Sequence, residues 1–265
     1  MPMNRIDSRF AALRGAGRKA LVPFLTAGDP ALETTVPAMH ALVEAGADVI
    51  ELGMPFSDPM ADGPTIQRSS ERALARGVGT DYVFGCVRSF RERDVLTPVV
   101  LMGYLNPVEI RGPVAFAQQA AEAGVDGILL VDLPPEEARE FRDAFDTAGV
   151  VLILLASPTT SDTRLAMLQS LARGYLYYVS FAGVTGASQL DAGVAGGRLR
   201  LIRSMTDVPV VAGFGIKDAA TAAAMAVDAD GVVVGSALVA AMAEATDPAA
   251  AARAFLGPLR LALDA

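Results

Sequence analysis

Short apolar runs rich in Val, Ile and Leu recur along the whole chain, bounded by Gly, Pro or Asp and separated by stretches of Ala, Arg, Glu and Leu with helical spacing. Eight such runs are found, at 20–25, 49–53, 99–102, 127–131, 150–155, 175–180, 208–212 and 231–235. Most are apolar throughout. A half-solvated antiparallel strand would alternate, whereas a parallel strand covered on both faces has no polar side. Strand and helix in repeated alternation predict an α/β fold. Eight units favour a closed (β/α)8 TIM barrel over an open doubly wound sheet. The open sheet would usually have fewer strands and a glycine-rich dinucleotide turn near its start, and no Gly-x-Gly-x-x-Gly follows the first strand here.

Two departures from the simple repeat are predicted. The interval between strands two and three is about fifty residues, twice the usual, so an extra helix and a long loop, 55–65, are inserted there. Ahead of the first strand, 5–13 reads as a lone amphipathic helix placed to plug the bottom of the barrel. An internal echo supports the repeat. Glu44-Ala45-Gly46-Ala47-Asp48-Val49-Ile50-Glu51-Leu52 resembles Glu122-Ala123-Gly124-Val125-Asp126-Gly127-Ile128-Leu129-Leu130, and Val227-Asp228-Ala229-Asp230-Gly231-Val232-Val233-Val234 is a looser copy. Each reads as a helix end, a stop and a strand. No linker suggests a second domain, so 1–265 is expected to form one barrel.

With 52% apolar residues in 265, the chain is long and apolar enough to bury a large core, which excludes a disordered chain. A net charge of −8 repels phosphate backbones and anionic lipid, so neither nucleic acid nor a membrane is an expected partner. The N-terminus lacks the apolar stretch of a secretory signal, and the run 150–156 is far short of the ~20 residues needed to cross a bilayer. A cytoplasmic protein is expected. The single cysteine, Cys86, reads as a small core hydrophobe, and no Cys or His cluster suggests a metal.

In a barrel the chemistry sits at the C-terminal ends of the strands. Glu51 lies inside a run that should be buried, where an unpaired carboxylate costs several kcal/mol unless its pKa rises or it finds a partner. Few cations are available nearby, which favours a catalytic carboxyl over a structural ion pair. The only histidine, His40, falls mid-helix, while Lys19 precedes the first strand and Lys217 follows the seventh. An imine-forming lysine, a histidine triad and a histidine-held metal are therefore disfavoured, and proton transfer falls to Asp, Glu or Tyr. Asp58 and Asp62 sit in the loop above Glu51, in turn-forming Asp-Pro and Asp-Gly-Pro contexts. For Asp58 a structural or interface role is favoured; for Asp62 spacing leaves turn and catalysis both open. Asp29 and Asp132 also end strands and read as caps. The last three strands end in glycine turns, Gly183-Val184-Thr185-Gly186, Gly213-Phe214-Gly215-Ile216 and Gly235-Ser236. Their amides can close on an anion, and the pair on strands seven and eight matches the common phosphate site of barrel enzymes. The glycine-rich stretch 182–197 reads as a lid over the mouth.

These residues carry a resemblance. Glu51-Leu52-Gly53-Met54-Pro55-Phe56-Ser57-Asp58-Pro59-Met60-Ala61-Asp62-Gly63-Pro64-Thr65-Ile66-Gln67, together with Phe24-Leu25-Thr26-Ala27-Gly28-Asp29-Pro30, Leu101-Met102-Gly103-Tyr104-Leu105-Asn106-Pro107, Tyr177-Tyr178-Val179-Ser180 and the glycine turns, resembles the tryptophan synthase alpha chain family. The likeness covers nearly everything outside the termini. It implies a barrel lyase that cleaves indole-3-glycerol phosphate to indole and D-glyceraldehyde 3-phosphate, the indole passing to a beta chain for L-tryptophan synthesis. Glu51 would be the acid and then the base, and Asp62 would meet the indole N–H. Phe24, Ile66, Leu101, Leu129, Leu155, Tyr177, Thr185 and Phe214 would line the substrate pocket. Gly186, Gly213, Gly215, Gly235 and Ser236 would hold the phosphate, with Pro55 and Asp58 facing the beta chain in an α2β2 assembly. No cofactor is implied for this chain; pyridoxal phosphate belongs to the beta chain. One position departs from the family: Phe181 stands where some members have an arginine able to pair with the lid. Two rivals remain. Another phosphate-binding barrel, such as an isomerase or the enzyme that makes indole-3-glycerol phosphate, is one; the latter would be expected to use strand lysines that are missing here. A barrel without catalysis that only regulates a beta chain is the other, and Glu51 with Asp62 argues against it.

Overall fold

All eight strands form, each within two residues of its expected limits: β1 (Ala20–Thr26), β2 (Ile50–Gly53), β3 (Val99–Gly103), β4 (Gly127–Leu130), β5 (Val151–Ala156), β6 (Leu176–Val179), β7 (Val210–Gly213) and β8 (Gly231–Val234). The structure, a computed structural model, describes residues 4–179, 192–213 and 215–265. Each strand pairs in parallel with the next and β8 returns to β1, which closes the barrel. The helices are α1 (Arg5–Gly15), α2 (Thr35–Glu44), α3 (Pro64–Ala75), α4 (Thr80–Arg91), α5 (Leu105–Arg111), α6 (Pro113–Ala123), α7 (Ala138–Ala148), α8 (Asp162–Leu171), α9 (Ala192–Met205), α10 (Ala219–Ala226), α11 (Ser236–Ala243) and α12 (Pro248–Asp264). The extra helix expected between strands two and three is present, since both α3 and α4 lie there. Two further doublings were not legible, α5 with α6 and α11 with α12. In the first, Gly112 at φ +82 and then Pro113 break what would otherwise read as one helix.

Closing the barrel splits the core in two. Outward side chains such as Leu25, Leu52, Leu101 and Ile128 pack against the helices, while Val22, Phe24, Val100, Leu129, Ile153 and Tyr177 fill the lumen. Both faces of each strand are dry, which is why the runs are uniformly apolar. The lumen is sealed below by α1, as expected. Ile6, Phe10 and Leu13 share one face of that helix and join the lumen cluster, with the Phe10 ring 5.5 Å from that of Tyr175. Burying each such side chain contributes about 1.5–3 kcal/mol. Asn4 caps the helix by accepting from the Ile6 amide and ties it to the barrel by donating to the Asp126 carbonyl.

The sequence echo has a physical counterpart at this lower end. In each copy the aspartate just before an even-numbered strand accepts an N–H near the start of the preceding odd-numbered strand: Asp48 from Leu21 (2.8 Å), Asp126 from Val99 (2.8 Å) and Asp230 from Val210 (2.9 Å). Arginines neutralise each carboxylate. Asp48 binds Arg9 and Arg260, Asp126 binds Arg5 and Arg91, and Asp230 binds Arg203. For the buried Asp48 and Asp126 this pairing offsets the cost of taking a carboxylate out of water. Five arginines thus gather at the end of the barrel opposite the mouth. No helix among the described residues is long and apolar enough to cross a membrane.

Candidate active site

Glu51 projects from β2 into the lumen and is completely buried. Tyr175, immediately before β6, donates its hydroxyl to Glu51 Oε1 at 2.7 Å, and Glu51 Oε2 has no partner among the described residues. The second and sixth strands lie on opposite sides of an eight-stranded barrel, so this bond crosses the lumen. No cation among the described residues pairs with Glu51. Burial pushes the carboxyl up from 4.5 to about 8, against a smaller lowering by the Tyr175 hydrogen bond. At neutral pH Glu51 is a protonated acid ready to donate.

The pocket above it is lined by Phe24, Thr26, Gly53, Met54, Asp62, Ile66, Ser70, Met102, Gly103, Tyr104 and Val131. Asp62 hangs over the mouth from the loop between β2 and α3. Burial raises its carboxyl, and a hydrogen bond from the Tyr104 hydroxyl at 3.0 Å opposes that rise. Two glycines make room for the aromatic walls. A Cβ on Gly53 would lie 2.5 Å from Phe24 Cζ, and one on Gly213 would lie 2.3 Å from the Tyr177 hydroxyl. Gly235 caps α11 and Ser236 begins it, so backbone N–H groups face the rim where β8 ends. Gly215, at φ +71, turns the chain beside them after β7.

A family model for the tryptophan synthase alpha chain matches residues 10–256. Over 99% of each chain, the sequence is 71% identical to the tryptophan synthase alpha chain of Xanthomonas oryzae pv. oryzae (strain MAFF 311018). It is 68% identical over the same shares to that of Xylella fastidiosa (strain M12). The fold matches the crystal structure of tryptophan synthase subunit alpha from Legionella pneumophila str. Paris with a TM-score of 0.94, at 48% identity and 99% coverage of each chain. The chain belongs to the tryptophan synthase alpha chain family. As an alpha chain it is a lyase of tryptophan synthesis, and its kind works in complex with a beta chain.

The structure of this alpha chain brings Phe24, Ile66, Leu129, Leu155 and Tyr177 together in the lumen cluster, and Asp62 joins Phe24 and Ile66 around the pocket. Leu101 is a correction. Its side chain lies in the layer between barrel and helices, and its neighbour Met102 lines the pocket instead. Alternation along β3 turns Val100 and Met102 inward and Leu101 outward. The lid expectation is partly corrected as well, because 192–197 already belongs to α9. A helix is needed at that point to carry the chain back down the barrel between β6 and β7. The remainder of that lid, with Phe181, Thr185 and Gly186, lies outside the described residues, as does Phe214.

Asp29 is a structural residue, held by a bidentate Arg72, and Asp132 accepts the Leu105 N–H at 2.8 Å. Asp58 is exposed at the loop tip beside Met60, and Pro55 lies at the loop's start. Cys86 is buried in the core on α4, and His40 packs on Phe90 at 4.8 Å. Lys19 donates to the Ala229 carbonyl below the barrel, far from any imine chemistry at the mouth. Sequence reasoning missed Tyr175 and Tyr104, the hydroxyls that hold the two carboxyls. Tyr175 had a signal: it stands two residues before Tyr177, the spacing that puts both side chains on one face of a strand.

Proposed function

We propose that this chain cleaves indole-3-glycerol phosphate to indole and D-glyceraldehyde 3-phosphate. The reading rests above all on Glu51, a carboxyl buried in the barrel lumen, raised to about 8 and held, among the described residues, by the Tyr175 hydroxyl alone. Protonated Glu51 gives its proton to indole C3, which leaves positive charge on the ring nitrogen. The Asp62 carboxylate faces that nitrogen's N–H and stabilises the charge. Glu51, now a carboxylate, takes the proton from the glycerol hydroxyl next to the breaking bond. The hydroxyl carbon becomes the aldehyde, and the C–C bonding pair returns to the ring as neutral indole. One group serves as acid and base because its pKa lies near the working pH. The protonated ring is the electron sink, so the step needs no imine and no cofactor in this chain.

The flat aromatic part of the substrate fits between Phe24, Ile66, Met102, Leu129, Leu155 and Tyr177, and the family likeness gives Thr185 and Phe214 a share in binding it. The phosphate is held by the amides of Gly186, Gly213, Gly215, Gly235 and Ser236. The α11 N-terminus supports this placement, since its free N–H groups and helix dipole can bind an anion without any lysine. Pro55 and Asp58 face the beta chain in an α2β2 assembly, and pyridoxal phosphate is confined to the beta chain. Residues 1–265 act as one barrel domain, in the cytoplasm, where a charged phosphorylated substrate is retained.

The test is indole release from indole-3-glycerol phosphate by the wild-type chain and by Glu51→Gln, each with and without a beta chain. Turnover that the partner stimulates and the substitution abolishes is expected. A wild type without turnover, even in complex, overturns the lyase reading and leaves a barrel that only regulates its partner.

A further inference from the structure

Tyr104 follows the last residue of β3 and occupies the cap position of α5, almost fully buried. Its ring stacks on Phe56 at 5.0 Å. A phenol hydroxyl has one proton to give, and here it donates to Asp62 Oδ2 at 3.0 Å while accepting the Ala61 N–H at 3.0 Å. Both bonds go to two consecutive residues of the same loop. The other hydrogen bonds of 55–62 are local or reach only α3: Met60 N–H to Asp58, Asp62 N–H to Pro59, Ser57 to Asp58, and Gln67 to the Asp62 carbonyl. Among the described residues, Tyr104 is the loop's one hydrogen-bonded tie to an element other than the adjoining α3.

We propose that Tyr104 is a positioning residue for the reaction: through its hydroxyl it holds the Ala61-Asp62 segment, and with it the Asp62 carboxyl, over the barrel mouth. The proposal rests on the role given to Asp62 above. Without the hydroxyl the loop keeps its aromatic stack on Phe56 but loses the bond that aims the carboxylate. Asp62 then faces burial without the donor that favours its charged form. The titratable groups facing this pair are few: Tyr177, on β6, senses the Asp62 charge, and Asp132, after β4, acts on Tyr104.

Tyr104→Phe removes the oxygen and leaves the ring. Two readouts separate positioning from bulk structure. The first is the Asp62 carboxyl titration followed by carbon-13 NMR, whose midpoint is expected to rise once the Tyr104 hydrogen bond that lowers it is gone. The second is the pH profile of indole-3-glycerol phosphate cleavage in the complex with a beta chain. There kcat is expected to fall about tenfold with little change in KM, and the acid limb to move up with the Asp62 midpoint, as for loss of a hydrogen bond to a charged group. An unmoved Asp62 titration overturns the proposal, as does a kcat equal to wild type. If the wild type itself fails to cleave the substrate, the lyase reading falls, and the NMR titration still decides whether Tyr104 governs Asp62.

Discussion

Glu51→Gln should do two opposite things, abolish cleavage and stabilise the protein in alkali. The native carboxyl holds its proton up to about pH 8 because it is buried, whereas in the unfolded chain it gives the proton up near 4.5. Between those values the native state binds more protons than the unfolded state, so unfolding free energy falls as pH rises. The stability that the neutral acid contributes is complete below pH 4.5 and gone once the pH has passed 8. At 1.36 kcal/mol per unit, the full loss comes to about 5 kcal/mol, of which about 3 is incurred by pH 7. Glutamine cannot ionise, yet its carbonyl can accept the same bond from Tyr175. The variant should therefore match the wild type within about 1 kcal/mol at pH 5 and exceed it by about 4 kcal/mol at pH 9. Urea unfolding at a series of pH values measures this directly, and comparing the two proteins cancels every other titrating group. Since the chain has no tryptophan, far-UV circular dichroism is the better probe. Tyr175→Phe is the control of opposite sense. It removes the bond that lowers the Glu51 pKa, so the loss of stability should extend to higher pH. If the difference between Glu51→Gln and wild type stays flat from pH 5 to pH 9, Glu51 titrates alike in both states and burial does not hold it neutral. A gain in stability at the cost of activity is what a strained catalytic group predicts.

Gly213→Ala puts a methyl group 2.3 Å from the Tyr177 hydroxyl, so the ring must leave its place in the pocket. Steady-state kinetics should show cleavage lost or KM strongly raised, with about 1–3 kcal/mol of stability lost in urea. Asp126→Ala acts at the other end of the barrel. It leaves the nearly buried Arg91 guanidinium and the Val99 N–H without their carboxylate, at a cost of about 3–5 kcal/mol. The folded fraction should keep the wild-type KM, and a raised KM would show that the two ends of the barrel are coupled.

The barrel was legible because its cause is local. A strand dry on both faces must be apolar along its length, and eight such runs with helices between them leave few other architectures. Glu51 was legible for the same reason, as the one carboxyl lying against that rule. The uniformity that reveals the strands also hides their phase. When both faces are apolar, nothing in β3 marks Leu101 as outward and Met102 as inward, and only the register with β2 and β4 decides it. Likewise, the repeated aspartates were visible as an echo, but their bonds to neighbouring strands exist only once the strands are paired. The partners of the two carboxyls were the least legible part of the site. Tyr175 is 124 residues from Glu51 and Tyr104 is 42 from Asp62. Composition and patterning determined which groups this protein has and which of them must be buried. Only the closure of the barrel decided which buried groups face one another, because it joins strands that no local spacing relates.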